Sequence, residues 1–401
     1  MERDMQSFTD LLHKIAKEQK FVDYNLDIKE ISSGGANYTA KLFSVSIIEG
    51  SNKLRLFCKV AAIGEKMRAQ LSTIYETEHF FYTNLGKMYQ NIEDQCGIPD
   101  DLKLNVSKYY GSTIELNEEV MVLEDLVAAG YKAYDRSKPI DWPYAQAAVR
   151  ELAKFHACAW AYGKQDPEGF NEVMKNVVYN IKMEESESVS YATKMIGNAI
   201  NALNVEEYKE KVVKYFENYD PDSYEKYLKS SRRPVMCHGD YKPSNLMHKI
   251  LDTMYAGSPI SDLIYFIIAG TDEKFRAQYF DKLLDHYYSE LSAAMKRLQL
   301  NPDEIFSRED FDCELKEKTN KDLFGNIQNG TEKYNYFLQK LPSGLLLAII
   351  TLPVLTVEME NAPAVDESLD ISSFKVEKTS DLYAERLNGV VNDYVKWGIL
   401  K

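Results

Sequence analysis

The chain has 401 residues, too many for one simple core and suited to two lobes. Hydrophobic content of 45% with 28 Tyr and 17 Phe excludes a disordered chain. A net charge of −14 with no basic face argues against nucleic acid as a partner.

Five cysteines (Cys58, Cys96, Cys158, Cys237 and Cys313) lack metal-ligand spacing, and their odd number argues against a disulfide framework. A reducing, cytoplasmic setting is the simplest inference. The amino terminus is charged throughout and lacks the apolar run of a signal peptide. The most apolar segment, Leu345 to Val357, spans only about 13 residues and includes Pro353, too short to cross a bilayer, so no membrane partner is expected. It reads as a buried helix or helix pair.

In chain order, residues 8–18 have amphipathic helical periodicity, with Phe8, Leu11, Leu12 and Ile15 on one face. A β-rich block follows. A turn carrying Gly34, Gly35 and Asn37 leads into the strand Lys41 to Ile48, and Gly50 to Asn52 turns the chain into the strand Leu54 to Val60. Glycines let backbone N–H groups approach phosphate oxygens, so the first turn could cradle a phosphate, as could any hairpin with a Gly-Gly tip. Lys59 lies among apolar residues of the second strand. Pointing inward it needs an anionic partner, because a bare buried ammonium is costly; pointing outward it needs none.

The next helix-compatible run, Ala69 to Tyr82, offers Glu78 as that partner, with Glu76 as the fallback. Kinase-type enzymes pair a strand lysine with a glutamate of the following helix to hold the lysine on the phosphates. Either glutamate reads equally as a solvated helix residue. Val120 to Leu126 is an apolar strand ending in Glu124, Asp125 and Leu126. In a bilobal kinase this is the hinge whose main chain binds a purine, and it sets a lobe boundary here: residues 1–125 as the nucleotide-binding N-lobe, 126–401 as the C-lobe.

The second part is mainly helical. Ala148, Leu152, Phe155, His156 and Ala159 share one face, and His156 there reads as a satisfied buried residue. Residues 275–298 repeat the pattern, and the polar stretch 301–330 reads as a surface excursion. Between these lies His238-Gly239-Asp240-Tyr241-Lys242-Pro243-Ser244-Asn245, a polar loop after an apolar strand. Asp240 and Asn245 have the Asp-x-x-x-x-Asn spacing of phosphoryl-transfer loops. There the aspartate accepts the proton of the attacking hydroxyl, and the asparagine carbonyl ligates magnesium. Lys242 could neutralise charge on the transferring phosphate. All of these are also ordinary turn residues.

The order Gly34-Gly35, Lys59, Glu78, LEDL, FHACAW, HGD and Asn245 resembles the ecdysteroid kinase-like family of insects. That family belongs to the aminoglycoside phosphotransferase and choline kinase superfamily. The most specific matches are LEDL with the downstream Arg136, ELAKFHA (151–157), HGD, and the segment Gly257 to Phe266. The resemblance implies an α+β, bilobal protein-kinase-like fold with a small β-rich N-lobe and a larger helical C-lobe. It implies ATP and Mg2+ as cofactors, Lys59 on the ATP phosphates with Glu78 as its partner, Asp240 as base and Asn245 as a metal ligand. Asp262 resembles a superfamily aspartate that braces the catalytic loop, and His238 is assigned the same purpose. The partner implied is a small-molecule hydroxyl acceptor, steroid-like.

Two departures stand out. The family commonly has Leu-Trp after HGD, whereas Tyr241-Lys242-Pro243 follows here, so the role of Lys242 is an analogy to protein kinases. The family also follows its magnesium asparagine with two strands ending in the main metal aspartate. Only six residues separate Asn245 from Asp252, the best candidate for that second metal ligand, and two strands with a turn do not fit in six residues.

The sequence therefore supports a small-molecule kinase phosphorylating a hydroxyl of an ecdysteroid or related lipophilic compound. Two alternatives stay open: a pseudokinase that binds nucleotide or a hydrophobic ligand, and a kinase of a cationic alcohol such as choline.

Overall fold

The computed structural model describes residues 2–32, 37–71, 73–132, 134–135, 137–177, 185–217, 231–246, 254–317, 342–361, 369–371 and 379–400. Helix α1 (Glu2–Glu18) forms as its periodicity predicts and lays Phe8, Leu11, Leu12 and Ile15 on one face of a sheet. That sheet has five antiparallel strands in the order β1-β2-β3-β5-β4: β1 (Asn25–Ile31), β2 (Ala40–Glu49), β3 (Asn52–Ala61), β4 (Tyr109–Thr113) and β5 (Val120–Glu124). Strand β1 was not legible from the sequence. Its polar pattern, NLDIKEI, is that of an exposed edge, and the Asp27–Lys29 ion pair lies on it. Gly50, at φ 57°, makes the tight β2–β3 turn, a conformation that favours glycine.

The two-residue period of β3 divides its side chains. Leu56, Cys58 and Val60 join the α1 core, while Phe57 packs with Ala40 and Leu42 on the other face. Lys59 has the parity of Phe57, so it lies on that second face, opposite Leu42 and Met121 in register.

After β3 come α2 (Glu65–Gln70) and α3 (Ile74–Phe80). A π-turn at Phe81–Leu85 leads into α4 (Gly86–Gln95). Among the described residues the rest is mainly helical, with one short strand pair. It comprises α5 (Trp142–Gln165), α6 (Pro167–Asn176), α7 (Glu185–Ala202), α8 (Glu206–Glu217), α9 (Pro243–Leu246), α10 (Pro259–Gly270), α11 (Glu273–Arg297), α12 (Pro302–Ile305), α13 (Arg308–Glu317), α14 (Pro342–Thr356) and α15 (Asp381–Lys396). The strand pair joins β6 (Val235–Cys237) to β7 (Tyr255–Gly257) antiparallel. The result is the expected α+β bilobal architecture.

Several C-lobe helices start at side-chain caps. Asp141 accepts from Tyr144 N–H at 2.9 Å ahead of Pro143, and the Ser258 side chain accepts from Ile260 N–H ahead of Pro259. The apolar segment near residue 345 is the single helix α14, and no helix among the described residues is long and apolar enough to cross a membrane. The reading of 301–330 as a surface excursion fails for its described part. Phe306 and Phe311 are fully buried, stacking on Trp160 and Tyr287, and Glu314 is buried as well.

Candidate active site

Strand β6 is wholly buried and delivers His238, Gly239 and Asp240 at its end. Gly239 has φ 83°, so the chain turns there in a way that disfavours any other residue. The loop is held from beneath by Asp262, in the first turn of α10. Its two carboxylate oxygens accept from His238 N–H at 2.6 Å and Gly239 N–H at 2.8 Å. His156 on α5 stands 3.1 Å from the same carboxylate through Nε2 and 2.7 Å from the Tyr287 hydroxyl through Nδ1. His156 is thus the satisfied core residue that its helical face suggested. His238 Nδ1 accepts from Asp240 N–H at 3.2 Å, and the Tyr241 hydroxyl donates to the Ala148 carbonyl at 2.7 Å.

The bracing trio His156, Cys237 and Asp262 lies close enough to hold a metal ion. The Asp262 oxygens are already taken by backbone N–H groups, and Cys237 donates to the Ser258 carbonyl at 3.3 Å, so protein partners account for the cluster.

Above the brace, three donors converge on the Asp240 carboxylate. Lys242 Nζ at 2.6 Å and Asn245 Nδ2 at 2.7 Å share Oδ2, and the Tyr265 hydroxyl donates to Oδ1 at 2.6 Å. Burial pushes the Asp240 pKa up, but the Lys242 charge and the hydrogen bonds of Lys242 and Tyr265 outweigh it and leave the group below its ordinary value. Asn245 also donates to the Asp240 carbonyl at 3.0 Å. With its amide nitrogen committed to Asp240, its side-chain oxygen remains as a hard donor of the kind magnesium takes. Asp240, Lys242 and Asn245 are therefore brought together as the spacing suggested.

Tyr265 was not singled out from the sequence. The signal was its place three residues after Asp262, which puts both on one face of α10 toward the loop. Glu314 was missed too: it accepts from Ser231 Oγ at 2.5 Å, from Arg232 N–H at 2.7 Å and from Ser258 Oγ, tying α13 to the end of the β6–β7 pair where β6 begins and β7 stops.

In the other lobe, Lys59 Nζ and Glu78 Oε2 are 2.6 Å apart, with side chains only 4% and 2% exposed. Glu76, the fallback, is exposed. Asn37 is buried and donates to the Ala40 carbonyl, closing the turn onto β2. Gly34, Gly35, Arg136 and Asp252 lie outside the described residues. At the end of β5, Glu124 N–H donates to the Lys108 carbonyl at 2.9 Å. The Asp125 carboxylate accepts from Ala128 N–H at 3.1 Å and Ser44 Oγ at 3.4 Å, so it shapes the turn after the strand. Leu126 is buried and its carbonyl accepts from Tyr131 N–H at 2.9 Å.

No curated protein matches the chain. A sequence model of the ecdysteroid kinase-like family matches residues 34–300, well over half its length and a span that runs from the turn before β2 past the catalytic-type loop and α10. The chain belongs to the ecdysteroid kinase-like family, a family of kinase-like phosphotransferases, and has its bilobal α+β fold.

Proposed function

We propose that the chain is an ATP- and magnesium-dependent small-molecule kinase that phosphorylates a hydroxyl of an ecdysteroid or a related hydroxylated lipophilic compound. The observation that carries this reading is the Asp240 carboxylate, kept ionised and fixed by Lys242, Asn245 and Tyr265. We place the lobe boundary at residue 125, with the main chain of Glu124 to Leu126 as the purine-binding hinge and Gly34, Gly35 and Asn37 as the phosphate turn. The five cysteines are all free, which supports a reducing cytoplasmic compartment.

In this mechanism Asp240 Oδ1 takes the proton of the acceptor hydroxyl. It carries one hydrogen bond against two at Oδ2, so it keeps a spare lone pair. The acceptor oxygen forms its bond to the γ-phosphorus as the bond to the bridging oxygen of ADP breaks, and ADP takes the charge. Lys59, oriented by Glu78, holds the ATP phosphates, and Lys242 neutralises charge on the group in transfer. Asn245 and Asp252 would hold magnesium, which supplies charge neutralisation on the phosphates when bound.

A second reading is favoured by one observation. Only six residues separate Asn245 from Asp252, too few for the two-strand segment that carries the family's metal aspartate, and β7, which begins at Tyr255, pairs with β6. A pseudokinase that binds nucleotide without turnover is its consequence.

Thermal unfolding with ATP, with and without magnesium, separates the two. A ligand at a hundredfold over its dissociation constant stabilises by about 2.7 kcal/mol. Stabilisation that needs magnesium and vanishes in Asp252→Ala, with turnover lost in Asp240→Asn but ATP binding kept, is the expected result. Stabilisation by ATP that ignores both magnesium and the Asp252 substitution would hand the lead to the pseudokinase.

A further inference from the structure

Helix α14 ends at Thr356 and α15 is capped by Ser380, and the Ser380 hydroxyl donates to the Thr356 carbonyl at 2.8 Å. Midway, Leu369, Asp370 and Ile371 lie against the helices that follow Lys59. Leu369 is buried among Tyr38, Ile63, Met67 and Ile74, with Val354 of α14 alongside. Ile371 N–H donates to Gln70 Oε1 at 3.0 Å, and both Gln70 and Asp370 are buried. Asp370 pairs with Lys66 of α2, which also stands 3.7 Å from Glu187 of α7.

Helices α2 and α3 need such support. Helix α2 has only six residues, α3 is the first seven residues of a helical run that continues through Phe81–Leu85 into α4, and neither has a side-chain N-cap. A helix as short as α2 does not hold its own position in water, and the uncapped first turn of α3 frays, so tertiary contacts must set both. Ile74, under the Leu369 contact, is one turn before Glu78 on α3.

We propose that Leu369–Ile371 is a clasp by which the C-lobe sets the position of α2 and α3, and through them the Glu78 carboxylate on Lys59, with Lys66, Gln70 and Asp370 as positioning residues. The proposal rests on the reading of Lys59 and Glu78 as the nucleotide-phosphate pair. The Lys66 ammonium is more than half exposed, so the ion pair alone is weak. Its value lies in registering a segment that Leu369 anchors.

The test is amide hydrogen exchange over residues 65–80 of the full chain without nucleotide, for wild type, Asp370→Asn and Leu369→Ala, together with ATP affinity by calorimetry. Exchange over 65–80 should speed up by about fivefold in Asp370→Asn, the size of a partly exposed ion pair, with α5 and α11 unchanged. Leu369→Ala should do more, and if it fails to fold, Asp370→Asn decides. ATP affinity should fall with Asp370→Asn in the wild type, but not further in a Glu78→Gln background, because both changes act through one group. Unchanged exchange over 65–80, an equal rise in α5 and α11, or additive losses of ATP affinity would each overturn the proposal. An exchange effect in a chain whose wild type binds no ATP would retain the clasp and refute the nucleotide reading instead.

Discussion

Asp240 shows how opposing effects are resolved at one residue. Its carboxylate is largely buried, which alone would favour the neutral acid. The adjacent ammonium of Lys242 and the Tyr265 hydroxyl reverse that, so the group is ionised above its ordinary value of 3.8 and for some distance below it. A depressed carboxylate contributes stability that is present above the unfolded pKa and lost as pH falls through the folded one. Lys242→Ala removes the charge and one hydrogen bond while leaving the burial, so the pKa of Asp240 should rise. The acid limb of the kcat/KM profile is then expected to move to higher pH. An acid limb that stays in place would show that Lys242 does not set this ionisation.

At the scale of elements, the catalytic-type loop is an extension of packed secondary structure. The His238 and Gly239 N–H groups at the end of β6 both donate to the Asp262 carboxylate on α10, itself contacted from α5. Asp262→Asn keeps the size but turns one acceptor into a donor facing another donor. One buried N–H is then left without a partner, at a cost of about 1–3 kcal/mol. A lowered melting midpoint and reduced turnover with unchanged ATP affinity are expected. A variant that melts and turns over like wild type would mean the loop holds its shape without the brace. The sequence made Asp262 visible through the segment around it. The three-residue spacing to Asp262 put Tyr265 on the loop-facing side of α10, but only the rotation of α10 against the loop brought its hydroxyl to Asp240.

Across the whole molecule, the lobes share a core. Phe81, Tyr82 and Tyr89, which precede the LEDL strand, pack in one apolar cluster with Phe155, Cys158 and Met236 of the C-lobe; the Phe81 and Tyr89 rings lie 6.2 and 6.0 Å from that of Phe155. The clasp adds a second connection from the far end of the chain. Calorimetric unfolding should therefore give one transition, because neither lobe can open without exposing the shared cluster. Phe155→Ala should lower that transition and cost about 3–5 kcal/mol of stability, the usual cost of emptying a buried aromatic position. Two resolved transitions in the wild type would show that the lobes are independent.

The sequence by itself determined the fold class, the helix that covers the sheet, the strand carrying Lys59, and the grouping of Asp240, Lys242 and Asn245. The fold class rests on the family resemblance carried by the motifs; the other features rest on local periodicity and short spacings, which act within a few residues. It also narrowed the partner of Lys59 to two glutamates, but only packing buried Glu78 and left Glu76 in solvent. Tertiary structure alone decided the burial of Phe306, Phe311 and Glu314 within a stretch that reads as polar surface. It alone brought Asp370 to Lys66, 304 positions away. Contacts of that separation leave no periodicity along the chain, because their partners are chosen by how the elements pack and not by their neighbours in sequence.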